Sequence, residues 1–584
     1  MKHYLSLSAF LFLVACSSGQ RDSFTQTDDI RINQLGYYPN CPKTAVVEEG
    51  CLASTYRIEN ADGETVWENP ASRKAVSPWS GKEREIIDFS NLTEPGDYVL
   101  RAGQYGTTLK ITPHPLRKLA LGAMKAFYYL RSGETLPAEY AGDWAREGAH
   151  PDTAVLVHAS AATRERPENT VISSPGGWYD AGDSNKYVVN SGFSTGLLLT
   201  AWQMKPKHFG AYELNIPESG NPTPDMLDEI LVNLRWMLTM QDLDGGVYHK
   251  LTNPNFEGFV MPTECRQPRY VVRKTTTATL DFAAALAQAS RIYRQYPEYE
   301  YFAKEAEKAA VKAWQWAQKN PDIAYNQHGM NETFDPDIQT GGYEDREFSD
   351  EFFWAASELY FTTGRKNYLY SAATYARKNE YRFTTPNWNN VNGLAVMSWL
   401  IQGTFGFSPD TEVIFNQYMP SVLEYCDKYL AQVPNSCYQS PFGNEPFDFG
   451  WGCLSEQCCN RGITLLFAYQ LTGDSKYLTG ALQCADYLLG RNATGYCYVT
   501  GYGQKSPLHP HHRLSAADNV EAPVPGLLVG GPNPAQQDQV EGYPSRFPDE
   551  SYIDHTDSYA SNEIAINWNA SLAAFIGWLD AEIK

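Results

Sequence analysis

The chain is poor in positive charge. It carries 47 Lys and Arg against 68 Asp and Glu, a formal net charge of −21 over 584 residues. Phosphate backbones would be repelled over most of such a surface, which argues against nucleic acid as a partner. No run of about 18 apolar residues occurs, so no membrane-spanning helix is expected. Cys-x-x-Cys and His-x-x-x-His spacings are both missing. His509, His511 and His512 lie close together, but without the spacing of helical metal ligands. No repeat of about 30–45 residues is visible, which argues against an open helical array. What is abundant is aromatic: 38 Tyr, 14 Trp and 26 Phe, 13% of all residues. Such a load suits either large cores or a carbohydrate-facing surface.

The N-terminus is distinctive. Met1 and Lys2 precede a short apolar run from Leu5 to Ala15 that ends at Cys16. The run is too short to span a bilayer and has the layout of a secretory signal. Leu13-Val14-Ala15-Cys16 resembles a bacterial lipobox, which implies cleavage before Cys16, lipidation of its thiol and anchoring in the outer membrane. Residues 1–15 are thus expected to be a signal peptide, and residues 16–29, polar and unpatterned, a flexible tether. Ten further cysteines follow, most of them between Cys426 and Cys497, and their pairing is not readable from spacing.

Residues 30–112 read as β structure. Short β-branched and aromatic segments (44–47, 55–59, 85–89, 98–101, 107–111) are divided by turn signals such as Asp62-Gly63 and Pro95-Gly96. A small antiparallel immunoglobulin-like sandwich is expected there. From residue 113 onward the apolar period changes to that of a helix. Candidate helices run near 115–131, 188–204, 224–241, 275–294, 303–319, 349–363, 366–379, 391–405, 412–432, 453–472, 475–490 and 560–582. Twelve helices suit six hairpins closed into an (α/α)6 barrel, with loops at one end building the active face. The expected fold is therefore multidomain, a β-sandwich followed by a large all-α barrel over residues 113–584.

Three segments carry chemistry. In Gly176–Val188, Asp180 and Asp183 stand three residues apart beside Trp178, Tyr179 and Tyr187. Small residues between the acids permit a tight turn and a close ligand approach. On its own the stretch reads equally well as a solvated Asp-Gly turn beside core aromatics. Tyr498–Arg513 brings His511, His512 and Arg513 together, side chains that can bind sugar hydroxyls. Tyr552–Ala570 carries Asp554, Tyr559 and Glu563 ahead of a helix. A glutamate in an apolar setting can have its pKa raised enough to act as a general acid.

In order and spacing these three segments resemble glycoside hydrolase family nine, inverting β-1,4-glucanases. Ile30–Lys43 and Leu92–Tyr98 are similar to the immunoglobulin-like domain of one branch, and Pro224–Lys250 and Asp350–Gly364 to further family segments. The resemblance implies Asp183 as base, Asp180 as its water-positioning partner and Glu563 as acid. It places His511 and Arg513 on the sugar, with Asp554 and Tyr559 supporting the acid. His512, Trp178, Tyr248 and Trp388 are added as substrate-binding candidates, and Trp354 and Trp451 as further stacking platforms. The chemistry implied needs no cofactor. The branch's structural zinc takes two Cys and two His, but the region before the Asp pair offers His150 and His158 and no cysteine, so zinc is not expected. Calcium is implied at Asp350 and Glu351, with Asn389 and Asn390 where a further Asp is usual.

The partner implied is a β-1,4-glucan, cut internally by a monomer at the cell surface. Xyloglucan is favoured over mixed-linkage glucan and amorphous cellulose, since a lipid-anchored enzyme cannot easily spread over a crystalline surface. Two alternatives stay open, an exo-acting family member and a non-catalytic glycan-binding lipoprotein.

Overall fold

The computed structural model describes residues 24–404 and 409–583. Cys16, the signal segment and the first part of the tether lie outside the described residues. The N-terminal domain is a sandwich of two sheets. One has the strand order β1 (Thr25–Gln26), β9 (Tyr105–Ile111), β8 (Gly96–Ala102), β4 (Tyr56–Glu59), β5 (Thr65–Asn69). The other runs β2 (Ile30–Arg31), β3 (Thr44–Glu48), β7 (Glu83–Asp88), β6 (Arg73–Val76). Two features depart from expectation. Thr25–Gln26, at the end of the segment read as a tether, pairs with Tyr105–Gly106 and does so in parallel, so the sandwich is not purely antiparallel. Strands β5 and β6 are edge strands whose exposed charged faces hid them from the hydrophobic pattern.

The four-stranded sheet is buried on both faces. Alternate residues Ala45, Val47 and Ile87 enter the sandwich core, while Val46 and Ile86 join the core of the helical domain. Arg84, on that second face, pairs with Glu48 at 2.8 Å and donates to the Tyr438 hydroxyl at 3.2 Å. Asp486 binds Arg491 and the amide of Asn33, each at 2.8 Å. Both ion pairs lie within one domain. The links that cross are the Arg84–Tyr438 and Asn33–Asp486 hydrogen bonds, each with one charged partner and typically worth about 1.5–3 kcal/mol, and together with the shared apolar face they join the two domains.

Twelve helices of 13 residues or more follow among the described residues, starting with Arg117–Tyr129 and ending with Ile566–Glu582. They alternate between an outer and an inner ring. The outer helix Glu300–Lys319 buries one stripe (Phe302, Ala303, Ala306, Ala310, Ala313, Ala317), at the spacing of a one-sided helix. The inner helix Ile566–Glu582 is buried on every face. Its packing on the first inner helix, Val188–Met204, closes the ring. Two boundaries differ from those expected. The last helix begins at Ile566 rather than near 560, because Ala565 is extended and bridges Ala181. The helix expected over 453–472 is a π-turn, Leu454–Cys459, followed by an α-helix, Asn460–Thr472. The periodicity of apolar residues does not register that insertion.

Candidate active site

The loops at one end of the barrel enclose a cavity of about 890 Å³. Backbone pairing joins three segments that are remote in sequence. Ala181 bridges Ala565, His511 bridges Glu563, and Ile566 N–H donates to the Asp180 carbonyl at 2.7 Å. A fourth segment is tied in by a small sheet, in which Lys186–Tyr187 pairs with Lys250–Leu251.

Gly182 is the crossing point. A Cβ there would fall against the His511 carbonyl and 3.1 Å from Glu563 Oε1, so only glycine lets the Asp turn reach the acid segment. The backbone N–H and a guanidinium N–H of Arg513 both donate to its carbonyl, at 3.0 and 2.8 Å. Asp180 accepts from Asn190 at 2.8 Å and from the Tyr343 hydroxyl at 2.6 Å. Asp183 Oδ2 accepts from Asn185 at 2.5 Å and from the Tyr187 hydroxyl at 3.0 Å. Tyr343 is positioned from below. His249 donates to the Gly342 carbonyl and Lys250 to that of Gly341, both at 2.7 Å, which pins the loop that carries it.

Charge is arranged unevenly. Burial, and then the neighbouring Asp183, push the Asp180 carboxyl well above its usual range. Glu563 is raised to about 8, first by burial and then by Asp183, with Arg513 opposing. A carboxyl held there keeps its proton at neutral pH and can donate it. Burial lowers His511, whose Nδ1–H donates to the Thr556 carbonyl at 2.7 Å, so its other ring nitrogen is unprotonated. Aromatic rings flank the site. His511 meets Phe259 edge-on, Trp451 lies 5.5 Å from Tyr559, and Trp388 stands edge-on to Tyr343.

Residues 117–576 match the family described as Glycosyl hydrolase family 9, and residues 25–107 match the Cellulase N-terminal ig-like domain. The chain belongs to glycosyl hydrolase family 9. Among curated proteins, this family 9 enzyme is 49% identical over 580 residues to xyloglucan-specific endo-beta-1,4-glucanase BoGH9A of Bacteroides ovatus, covering 99% of this chain and 98% of that protein. It is 33% identical to Endoglucanase D of Acetivibrio thermocellus over 95% of this chain and 81% of that one. Among solved structures, a Bacteroides ovatus GH9 structure superposes with a TM-score of 0.92 at 49% identity, covering 96% of this chain and all of that one. A metagenome-derived family 9 endoglucanase superposes with a TM-score of 0.84 at 33% identity, covering 94% and 98%.

Several residues expected in the cleft of the family 9 enzyme lie elsewhere. Trp178 is fully buried against Phe127, with its indole N–H on Glu229 at 2.9 Å, so it is a core residue. Tyr248 is buried and bonded to Arg166, and Trp354 lies within the barrel core. His512 is buried against Ser515 at 2.9 Å, and burial holds it near 3, so it is neutral packing rather than a sugar ligand. Asp554 accepts from Leu508, His509 and Asn562 and braces the histidine loop outside the cleft. Arg513 reaches the Glu257 carbonyl at 2.9 Å as well as Gly182, and so fastens the Phe256–Phe259 loop to the Asp turn. Asp180, Asp183, His511, Arg513, Tyr559, Trp388, Trp451 and Glu563 all line the cleft. Tyr343, Phe256, Glu456, Asn567 and Trp568 line it too and were not singled out from the sequence. Gly341-Gly342-Tyr343 repeats the glycine–aromatic pattern of Gly176–Trp178 and was the one available signal.

The residues do not fit zinc. His150 bonds Tyr179 through Nδ1 and leaves only its Nε2 without a partner, both ring nitrogens of His158 are engaged, and the neighbouring Asp152 is paired with Lys186 and Arg269, so the region offers one nitrogen donor where zinc takes four ligands. The calcium region differs. Asp281 and Glu351 are pushed well above the usual carboxylate range and Asp350 to about 6, in each case first by burial. Both carboxylate oxygens of Asp281 and of Glu351, and one of Asp345, are buried without a partner. Such oxygen donors fit a hard cation. No three His, Cys, Asp or Glu side chains converge at metal-ligand distance among the described residues.

Proposed function

We propose that this family 9 enzyme is an inverting endo-β-1,4-glucanase that takes xyloglucan ahead of mixed-linkage glucan and amorphous cellulose. One observation carries the reading: the Asp turn and Glu563 meet across Gly182 in a cleft flanked by aromatic rings. Asp183 acts as the base. Its Oδ2 is held by Asn185 and Tyr187, which orients the carboxylate toward an attacking water. Asp180, fixed by Asn190 and Tyr343, holds that water from a second side. Glu563 gives its proton to the leaving oxygen, and His511 offers a neutral ring nitrogen to a sugar hydroxyl. Inversion needs a water between base and sugar, and hence carboxyls roughly 6.5–9.5 Å apart. The preference for xyloglucan is supported by the Bacteroides ovatus relative, a xyloglucan-specific endo-beta-1,4-glucanase 49% identical to this chain.

The test is reducing-end release from the three polysaccharides, with viscosity followed in parallel. Fast cleavage of xyloglucan with an early fall in viscosity is expected. Equal rates on all three would remove the preference, and small products with slow thinning would favour the exo reading. Asp183→Ala should abolish cleavage and keep glycan binding.

Two further proposals accompany the activity. A lipid on Cys16 would hold a single catalytic chain at the outer-membrane surface, with the lipobox-like Leu13–Cys16 as its support. Loss of membrane association in Cys16→Ser tests the anchor, and retained association would count against it. Calcium would occupy the Asp281, Asp345, Asp350 and Glu351 cluster, whose orphaned oxygens support it. Chelator should then lower the melting temperature and calcium restore it. Insensitivity to both would remove the ion.

A further inference from the structure

A fourth acidic side chain enters the cleft apart from the Asp180–Asp183–Glu563 group. Glu456 sits in the π-turn Leu454–Cys459 and lines the cavity with Trp451, Asn567 and Trp568. Single π-turns inside helices recur at functional sites because the inserted residue redirects side chains. This one is firmly held. Glu456 N–H donates to the Gly452 carbonyl at 3.1 Å, and Ser455 bonds Ser571, on the helix that carries Asn567, at 3.0 Å. Gly452, at φ +68°, lets Trp568 pack directly against the turn, because a Cβ there would meet the indole Nε1 at 2.5 Å.

Two acceptors at this end of the cleft have no donor from the protein among the described residues. Among the described residues, no hydrogen bond or ion pair reaches the Glu456 carboxylate, and burial alone raises it to about 7. Asn567 is 2% exposed, and its Oδ1 is buried without a partner. Glu456 is part-exposed to the cleft, so a ligand that displaces water there must supply its donors, and Asn567 Oδ1 beside it is buried without one. A sugar ring does so. Its edge carries hydroxyl donors, and its face suits the neighbouring indoles of Trp451 and Trp568.

We propose that Glu456 and Asn567 form a hydroxyl-binding subsite for a glucosyl unit next to those being separated, and so set substrate specificity. The proposal rests on the glucanase reading and adds a position to it. The test compares kcat/KM on β-1,4-gluco-oligosaccharides of increasing length for the wild-type protein, Glu456→Gln and Asn567→Ala. Wild type should gain at the chain length that first fills the subsite, and each variant should lose about tenfold of that gain. An equal fall at every length, or no fall at all, would overturn it. Calorimetric binding of the longest oligosaccharide to Asp183→Ala, with and without Glu456→Gln, reads the same site without cleavage. About tenfold weaker binding is expected, and unchanged affinity would overturn the subsite. A wild-type protein that bound these oligosaccharides and cleaved none would sink the glucanase reading and leave the subsite standing.

Discussion

Arg513 donates twice to the carbonyl oxygen of Gly182, once from its backbone and once from its guanidinium, and its remaining reach ends on the Glu257 carbonyl. One side chain thus ties the turn carrying Asp183 to the loop carrying Phe256 and Phe259. Lys donates from one nitrogen on a flexible stem and lacks the rigid planar fork that spans the two carbonyls here. Arg513→Lys is therefore expected to lower kcat/KM by roughly a hundredfold while costing only about 1–3 kcal/mol of stability. Steady-state kinetics beside thermal melting would check this. A fall in stability with no loss of activity would mean the loop needs no such tether.

Glu563 is raised to about 8, chiefly by burial, so its proton is present at neutral pH and lost as pH rises past that value. Activity should fall on the alkaline side with a midpoint near 8. Glu563→Gln should lower kcat by roughly 10²–10⁴. The loss should be much smaller on an aryl glycoside, whose leaving group needs no proton. A variant equally impaired on both substrates would speak against Glu563 as the acid.

Trp178 and Trp451 offer a matched contrast. Trp178 is buried with its N–H on Glu229, and its replacement by Ala should cost about 3–5 kcal/mol. Trp451 is 45% exposed at the cleft edge, so its replacement should hardly change the melting temperature and should weaken glucan binding by about tenfold. Melting curves and binding isotherms on the two variants would expose any reversal.

How much of this was readable from the chain divides along physical lines. The Asp turn, Glu563 and the His511–Arg513 segment were legible because chemistry restricts them to particular residues at close spacing. The twelve helices were legible because burial imposes a helical period on each. Trp178, Tyr248 and Trp354 were misplaced because an aromatic beside an acid looks the same in sequence whether it faces sugar or core. Glu456 was hidden because a π-turn leaves no mark on apolar periodicity. The meeting of residues 182, 511 and 563 exists only in the closed ring, where backbone pairing brings the segments together.

Asp549 allows a test of stability that does not touch the chemistry. It is 2% exposed, one of its oxygens lacks a partner, and burial raises it to about 7. The native state therefore holds this proton to higher pH than the unfolded chain does. Its contribution is fully present below about pH 4 and is lost as pH rises through about 7. Asp549→Asn, which cannot ionise, should raise stability at pH 8 by on the order of 2–4 kcal/mol and change little at pH 4. Denaturant melts at the two pH values decide it, and a gain at pH 4 instead would contradict the assigned sign.

In the proposed reaction Asp183 directs water onto the sugar while Glu563 protonates the leaving oxygen, in one displacement. Proton NMR of a xyloglucan digest within its first minutes reads this directly. New reducing ends should appear as the α-anomer and only later equilibrate. Reducing ends appearing first as the β-anomer would contradict it.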